Sequence, residues 1–311
     1  MRNLFAALLL CTLGLGGLHS VTFSIPNSSL LFATYNDVRF AMPDRTEAVR
    51  LPVELGANHG YFAYPSISPG GDLIAWGFAS RIQEDRAYNK ARYSLGLYSL
   101  TERKWKTYGD FDEIGATAFS ADGSKIAFVA QHDNKPREYK RDLFIFDVAK
   151  ETWTSAPCQE RLWVNASLGW SPDAKRLAVN IDRGDKGGSM AAVLDLDTGS
   201  VHPLGQGSNP SWSPSGEWIS YYDPSGSKCL LVRPDGTSLK TIRKLSQSAF
   251  SYRRFGYGGP VWSPDSRQIL LSEMKGDGDY IDVVLVNVET GQVTKRAKNC
   301  LSVFGWASSR R

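Results

Sequence analysis

"GWSPDAKRLAV", residues 169–179, joins a tryptophan, a Ser-Pro turn, an acidic residue and an apolar run. Four relatives of the phrase are present: "SISPGGDLIAW" from Ser66, "AFSADGSKIAF" from Ala118, "SWSPSGEWISY" from Ser211 and "VWSPDSRQILL" from Val261. Their serines stand at Ser68, Ser120, Ser171, Ser213 and Ser263, so the phrase returns every 42 to 52 residues. A unit of that length cannot bury an apolar face alone, but stacked copies can.

Each unit reads as four strands. A short strand ends at an aromatic or apolar residue, and Ser, Pro, Asp and Gly then make a tight turn. A second, apolar strand follows, such as "KIAFVA" at 125–130. The third strands are "YSLGLYSL", "DLFIFDV", "AAVLDLD", "CLLV" and "DVVLVNV"; polar turns such as "DTGS" and "ETGQ" lead to the fourth. The chain ends complete the count. "SLLFATYNDVRFAMPDRTEAVRL" near the start supplies strands two to four, and "LSVFGWASS" near the end supplies a first strand. Pairing them leaves no open sheet edge at the seam. The expected fold is therefore all-β: a six-bladed β-propeller with four antiparallel strands per blade, closed by pairing of the N- and C-terminal strands. The motif tryptophans Trp170, Trp212 and Trp262 occupy equivalent positions beside the turn and are expected in the core.

The W-S-P-D-G-x-x-I-A-F phrase resembles the TolB-like PD40, or WD40-like, β-propeller repeat family, over nearly the whole chain beyond residue 20. The repeats leave no length for the N-terminal domain that TolB carries ahead of its propeller. The resemblance implies the fold; propellers of unrelated function share the motif, so the role must come from the loops.

The first residues differ from the rest. Arg2 precedes fifteen apolar or small residues, 4–18, and polar ones follow. That is the layout of a cleaved export signal, and the run is shorter than the ~20 residues needed to span a bilayer. The expected organisation is a signal peptide at 1–20 and a single propeller domain at 21–311, in a periplasmic or secreted protein with no membrane span. A net charge of +4 gives a nucleic-acid partner little electrostatic support. Past the signal, Cys229 sits in an apolar strand, while Cys158 and Cys300 lie between strands and are candidates for a disulfide.

Strand alternation puts the turns after strands one and three on one side of the disc and the connections after strands two and four on the other. The second set is long, and long loops on a rigid scaffold are where function collects. These loops carry Arg81, Arg86, Tyr88, Arg137, Tyr139, Tyr252, Arg253, Arg254, Phe255 and Tyr257. Arginine and tyrosine are enriched at protein interfaces, which points to a protein or peptide partner held by a monomer. Chemistry is less visible. His59, His132 and His202 have no metal-ligand spacing, and no G-x-S-x-G elbow occurs. The acidic stretches "DRGDKGG" and "DGDYID" depart from the calcium-loop pattern. No catalytic residue, metal or cofactor is assigned. The alternative is a propeller enzyme, of glycan lyase or hydrolase type, that gathers carboxylates at the channel mouth.

Overall fold

The apolar runs after each motif turn become strands buried on both faces. Along Lys125–Gln131, Ile126, Phe128 and Ala130 enter one apolar cluster, while Ala127 and Val129 enter another. Strand side chains alternate, so a continuous apolar run marks a strand held between two layers. The computed structural model describes residues 7–12, 18–23, 28–33, 38–41, 49–50, 65–83, 90–131, 141–163, 167–184, 188–245, 259–275, 280–300 and 302–308. At 7–50, 78–83, 90–91, 274–275, 280–282, 295–300 and 302–308 other than Trp306, it describes the backbone alone.

The described strands form six four-stranded antiparallel sheets, each strand pairing with its neighbour in order. Sheet I contains Ser66–Ile67, Leu73–Gln83, Lys90–Ser99 and Lys104–Phe111. Sheet II contains Glu113–Phe119, Lys125–Gln131, Asp142–Asp147 and Thr152–Ala156. Sheet III contains Gly169–Trp170, Arg176–Asp182, Ser189–Asp195 and Val201–Gln206. Sheet IV contains Ser208–Trp212, Ile219–Tyr222, Lys228–Val232 and Lys240–Lys244. Sheet V contains Val261–Trp262, Gln268–Lys275, Tyr280–Asn287 and Val293–Cys300. Sheet VI is composite: Ser302–Ser308 pairs antiparallel with Ser28–Ala33, from Ser308 opposite Ser28 to Ser302 opposite Ala33, and Val38–Ala41 and Val49–Arg50 follow. A separate hairpin pairs Ala7–Thr12 with Leu18–Phe23. No helix occurs among the described residues.

Successive sheets stack through shared cores. Phe111 of sheet I meets Phe128 of sheet II, and Val129 of sheet II shares a cluster with Leu177 and Val179 of sheet III. Val193 of sheet III packs with Tyr221 of sheet IV, and Leu231 of sheet IV with Ile269 of sheet V. The short first strands also touch in order. That of sheet II contacts those of I and III, that of IV those of III and V, and Ser302–Ser308 those of V and I. Gly169 makes one such approach possible: a Cβ there would lie 2.9 Å from the Trp212 backbone nitrogen.

The repeated phrase encodes a hydrogen-bonded turn. The motif serine is buried in all five copies. Its hydroxyl accepts the backbone N–H five residues on, at Leu73, Lys125, Arg176, Trp218 and Gln268, over 2.9–3.0 Å. The same hydroxyl donates to Asp72, Asp122, Asp173 and Asp265. In sheets II, III and V that aspartate also accepts the backbone N–H of Ser124, Lys175 or Arg267, closing the turn. The turn after strand three is tied to this one by Leu100 N–H to Asp72 O, Val148 N–H to Ser124 O, Leu196 N–H to Lys175 O and Val288 N–H to Arg267 O, at 2.9–3.0 Å. Both sets of turns therefore share a face, as alternation requires.

One boundary differs from expectation. The segment "ASRIQEDRAYNKAR" at 79–92, which by its charge reads as one of the long connections after strand two, is a ladder at both ends: Arg81 lies in Leu73–Gln83, directly opposite Arg92. Charged residues at the solvent end of a hairpin look like loop in sequence, yet the ladder continues through them because strand pairing is made by the backbone.

Candidate functional site

A cavity of about 220 Å³ is bordered by the short first strands and the residues next to them. Its lining comes from the first strand of each sheet or, at sheet III, from the residues just ahead of it, through Ile67, Thr117, Leu168, Ser211, Val261 and Trp306 among others. The motif tryptophans are core residues as expected, with Trp170, Trp212 and Trp262 each at least nine-tenths buried. Two of them also lock adjacent sheets. Trp170 Nε1 donates to Ala118 O at 2.9 Å, and Trp262 Nε1 to Ser211 O at 3.1 Å. The indole N–H groups of Trp212 and Trp306, which border the cavity, have no acceptor among the described residues.

The strand ends opposite the tight turns carry a series of ion pairs. Arg92 binds both Asp110, at 2.8 Å, and Asp112. Arg141 binds Glu113 at 3.1 Å, Arg161 binds Asp182 at 3.2 Å and Arg183 binds Glu160 at 3.2 Å. Arg243 binds the buried Glu273 at 2.6 Å. The Asp110 hydrogen bond and the two neighbouring carboxylates hold the Arg92 guanidinium above its ordinary range. Pairs such as these clamp one strand or segment to the next. Arg92 and Asp182, whose charged surroundings read as loop in the sequence, are held in the scaffold by these pairs. A clue was available, since each lies only a residue or two from a clear apolar alternation.

Of the sequence-derived binding residues, Arg81 is in a strand, at the end that faces away from the tight turns. Arg86, Tyr88, Arg137, Tyr139, Tyr252, Arg253, Arg254, Phe255 and Tyr257 lie outside the described residues. Their segments run between Gln83 and Lys90, Gln131 and Arg141, and Leu245 and Gly259, and so all begin at the face that bears the ion pairs. His59 and His132 also lie outside the described residues. His202 Nε2 sits 3.3 Å from the Asp235 carbonyl, and among the described residues no three His, Cys, Asp or Glu converge as a metal site. Cys229 is fully buried, which pushes its thiol above the usual range. The Cys158 thiol donates to Glu160 O at 3.4 Å. Cys300 ends a strand and its side chain is outside the described set. Among the described residues no helix is long and apolar enough to cross a membrane.

Stacked four-stranded sheets around a central cavity define a β-propeller, and in fold this one is TolB-like. TolB from Acinetobacter baumannii superposes with a TM-score of 0.65 at 15% identity, covering 90% of this chain and 66% of that one. A chain of the nidogen–laminin complex superposes with a TM-score of 0.60 at 11% identity, covering 91% and 100%. Oligogalacturonate lyase in complex with manganese gives 0.51 at 13% identity, covering 96% and 75%. In sequence, the uncharacterized peptidase YuxL of Bacillus subtilis (strain 168) is 25% identical over 186 residues, 56% of this chain. The chain thus spans only 24% of YuxL and slightly under two thirds of TolB. No family model matches the chain.

Proposed function

We propose that this chain is an exported, non-catalytic six-bladed propeller that binds a protein or peptide on its long-loop face. Closure of the ring is supported by the composite sheet VI, by Ser302–Ser308 touching both neighbouring first strands, and by a cavity lined at or beside the first strand of every sheet. Export is supported by the layout of residues 1–20. Ala7–Thr12 and Leu18–Phe23 pair with each other and belong to none of the six four-stranded sheets, so cleavage after Ser20 leaves those six intact.

The observation that carries the binding reading is the asymmetry of the two faces. One is closed by tight turns hydrogen-bonded to each other. The other holds its strand ends with arginine–carboxylate pairs and carries the long Arg- and Tyr-bearing loops. A rim already held by ion pairs suits partner capture, because little of it must be ordered on binding. The nidogen–laminin neighbour is a propeller-fold chain from a protein complex, which supports the same reading. The rival reading is an enzyme, in keeping with the lyase and peptidase relatives. Glu113, Asp182 and Glu273 at that face are each engaged by an arginine of the scaffold.

The loop "SYRRFGYGG" at 251–259 is the chosen contact: two adjacent guanidiniums to grip a carboxylate, with aromatics on either side. Protein captured from envelope or medium by the wild-type chain provides the ligand for titration. The double change Arg253→Ala and Arg254→Ala should leave melting unchanged and weaken binding at least about tenfold, or ~1.4 kcal/mol. Unaltered affinity would move the site elsewhere on the disc.

A further inference from the structure

Each sheet of a propeller exposes one outer strand whose backbone groups are open to another strand. Folds normally blunt such edges with charge, proline, bulges or brevity. Five of the six edges here are blunted. Lys104–Phe111 carries Lys104 and Lys106 and a register shift. Val201–Gln206 contains Pro203 and a shift. Lys240–Lys244 carries three cations and a shift, and Val293–Cys300 carries Lys295, Arg296 and Lys298 and two shifts. Val49–Arg50 is two residues long.

The edge of sheet II has none of these devices. Thr152–Ala156, "TWTSA", has no charge, proline or glycine, and its register against Leu143–Asp147 runs unbroken through five pairs. Among the described residues nothing pairs with its outer side. Thr152, Trp153, Thr154 and Ser155 are exposed, and Trp153 is 37% accessible although its ring lies 6.0 Å from that of Phe111.

We infer that this strand is a docking edge for a second copy of the same chain, the two edges pairing antiparallel about a two-fold axis at Thr154. The strand is complementary to itself in that register. Thr154 meets Thr154 of the second copy, a favourable cross-strand pair, and Trp153 meets Ser155. The two Trp153 rings then share a face as diagonal neighbours, within reach of each other. Glu151 falls opposite Pro157, so no like charges face, and the proline ends the ladder at both extremities. An isologous contact uses the same edge on both copies and therefore stops at two. Five paired residues make a small interface, so association is weak and governed by mass action. The dimer departs from the monomer expected from sequence and does not depend on the loop-face reading.

Sedimentation of the full chain over about a hundredfold range of concentration tests this. The wild-type chain should pass from monomer to dimer. Thr154→Lys, at an exposed position that should not alter melting, places two cations opposite each other and should weaken association at least about tenfold. Mixing Thr154→Lys with Thr154→Glu should restore a dimer, which a merely structural role for Thr154 would not do. A wild-type chain that stays monomeric throughout, or a Thr154→Lys chain that dimerises like wild type, overturns the inference.

Discussion

At the scale of the residue, the repeated phrase is a device for turning the chain around a buried, hydrogen-bonded serine. The position three past the serine takes a left-handed backbone: Gly71, Gly123 and Gly216 have φ of 69°, 74° and 77°, but Ala174 has 54° and Ser266 has 61°. Side chains carry a penalty there that glycine avoids. At Gly123 a Cβ would meet nothing closer than Pro69 at 3.6 Å, so backbone strain alone should make Gly123→Ala cost about 1–2 kcal/mol. Ala174→Gly relieves the same strain and gives back part of it in unfolded-state entropy, for a net gain of about 0.5 kcal/mol. Chemical denaturation of the two variants should therefore show opposite signs at equivalent positions.

The motif aspartates give the turn a pH dependence. Hydrogen bonding from Ser120 and from Ser171, with backbone N–H groups adding, holds Asp122 and Asp173 below the ordinary carboxylate range. A carboxyl depressed by folding contributes stability above its unfolded value, near pH 4, and loses it as pH falls through the lower folded value. The double change Ser120→Ala and Ser171→Ala should lower the melting temperature at pH 7 and make its decline below about pH 4 shallower. A decline as steep as wild type would mean these turns do not sense protonation.

At the scale of the element, the sequence disclosed strand order and identity because the serine-turn phrase marks each repeat and the second strands are apolar throughout. The composite sheet was legible for the same reason: Trp306 stands where the motif tryptophans stand. Strand ends were less legible. Arg81 and Arg92 sit in a ladder that polar side chains disguise. The inter-sheet locks were invisible, since Trp170 to Ala118 and Asn180 to the backbone of Asn209 join residues 52 and 29 apart. Close approach was also hidden. Gly169 reads as an ordinary first-strand residue, yet a methyl there collides with the backbone of the next sheet. Gly169→Ala should cost about 2 kcal/mol through overpacking, measurable by thermal unfolding; a neutral result would mean the sheets part readily at that point.

At the scale of the molecule, the sequence offers a face for the candidate site and no set of contacts. Alternation alone assigned the long loops to one face, and the turn-to-turn hydrogen bonds bear out the assignment of the short turns to the other. The sequence did not reveal that Arg92, Arg141, Arg161, Arg183 and Arg243 would be bound to carboxylates. Pairing depends on which strand ends meet in space, which residue spacing does not encode. All of it rests on the ring being closed, because the channel, the two faces and the stacking order are defined only then. The most direct measurement is a cross-link across the seam. With Ala33→Cys and Ser302→Cys, directly opposite in sheet VI, oxidation should yield a linked 33–302 peptide by mass spectrometry in nearly all of the folded protein, with a raised melting temperature. Failure to form that link in protein that otherwise melts like wild type would contradict a closed propeller.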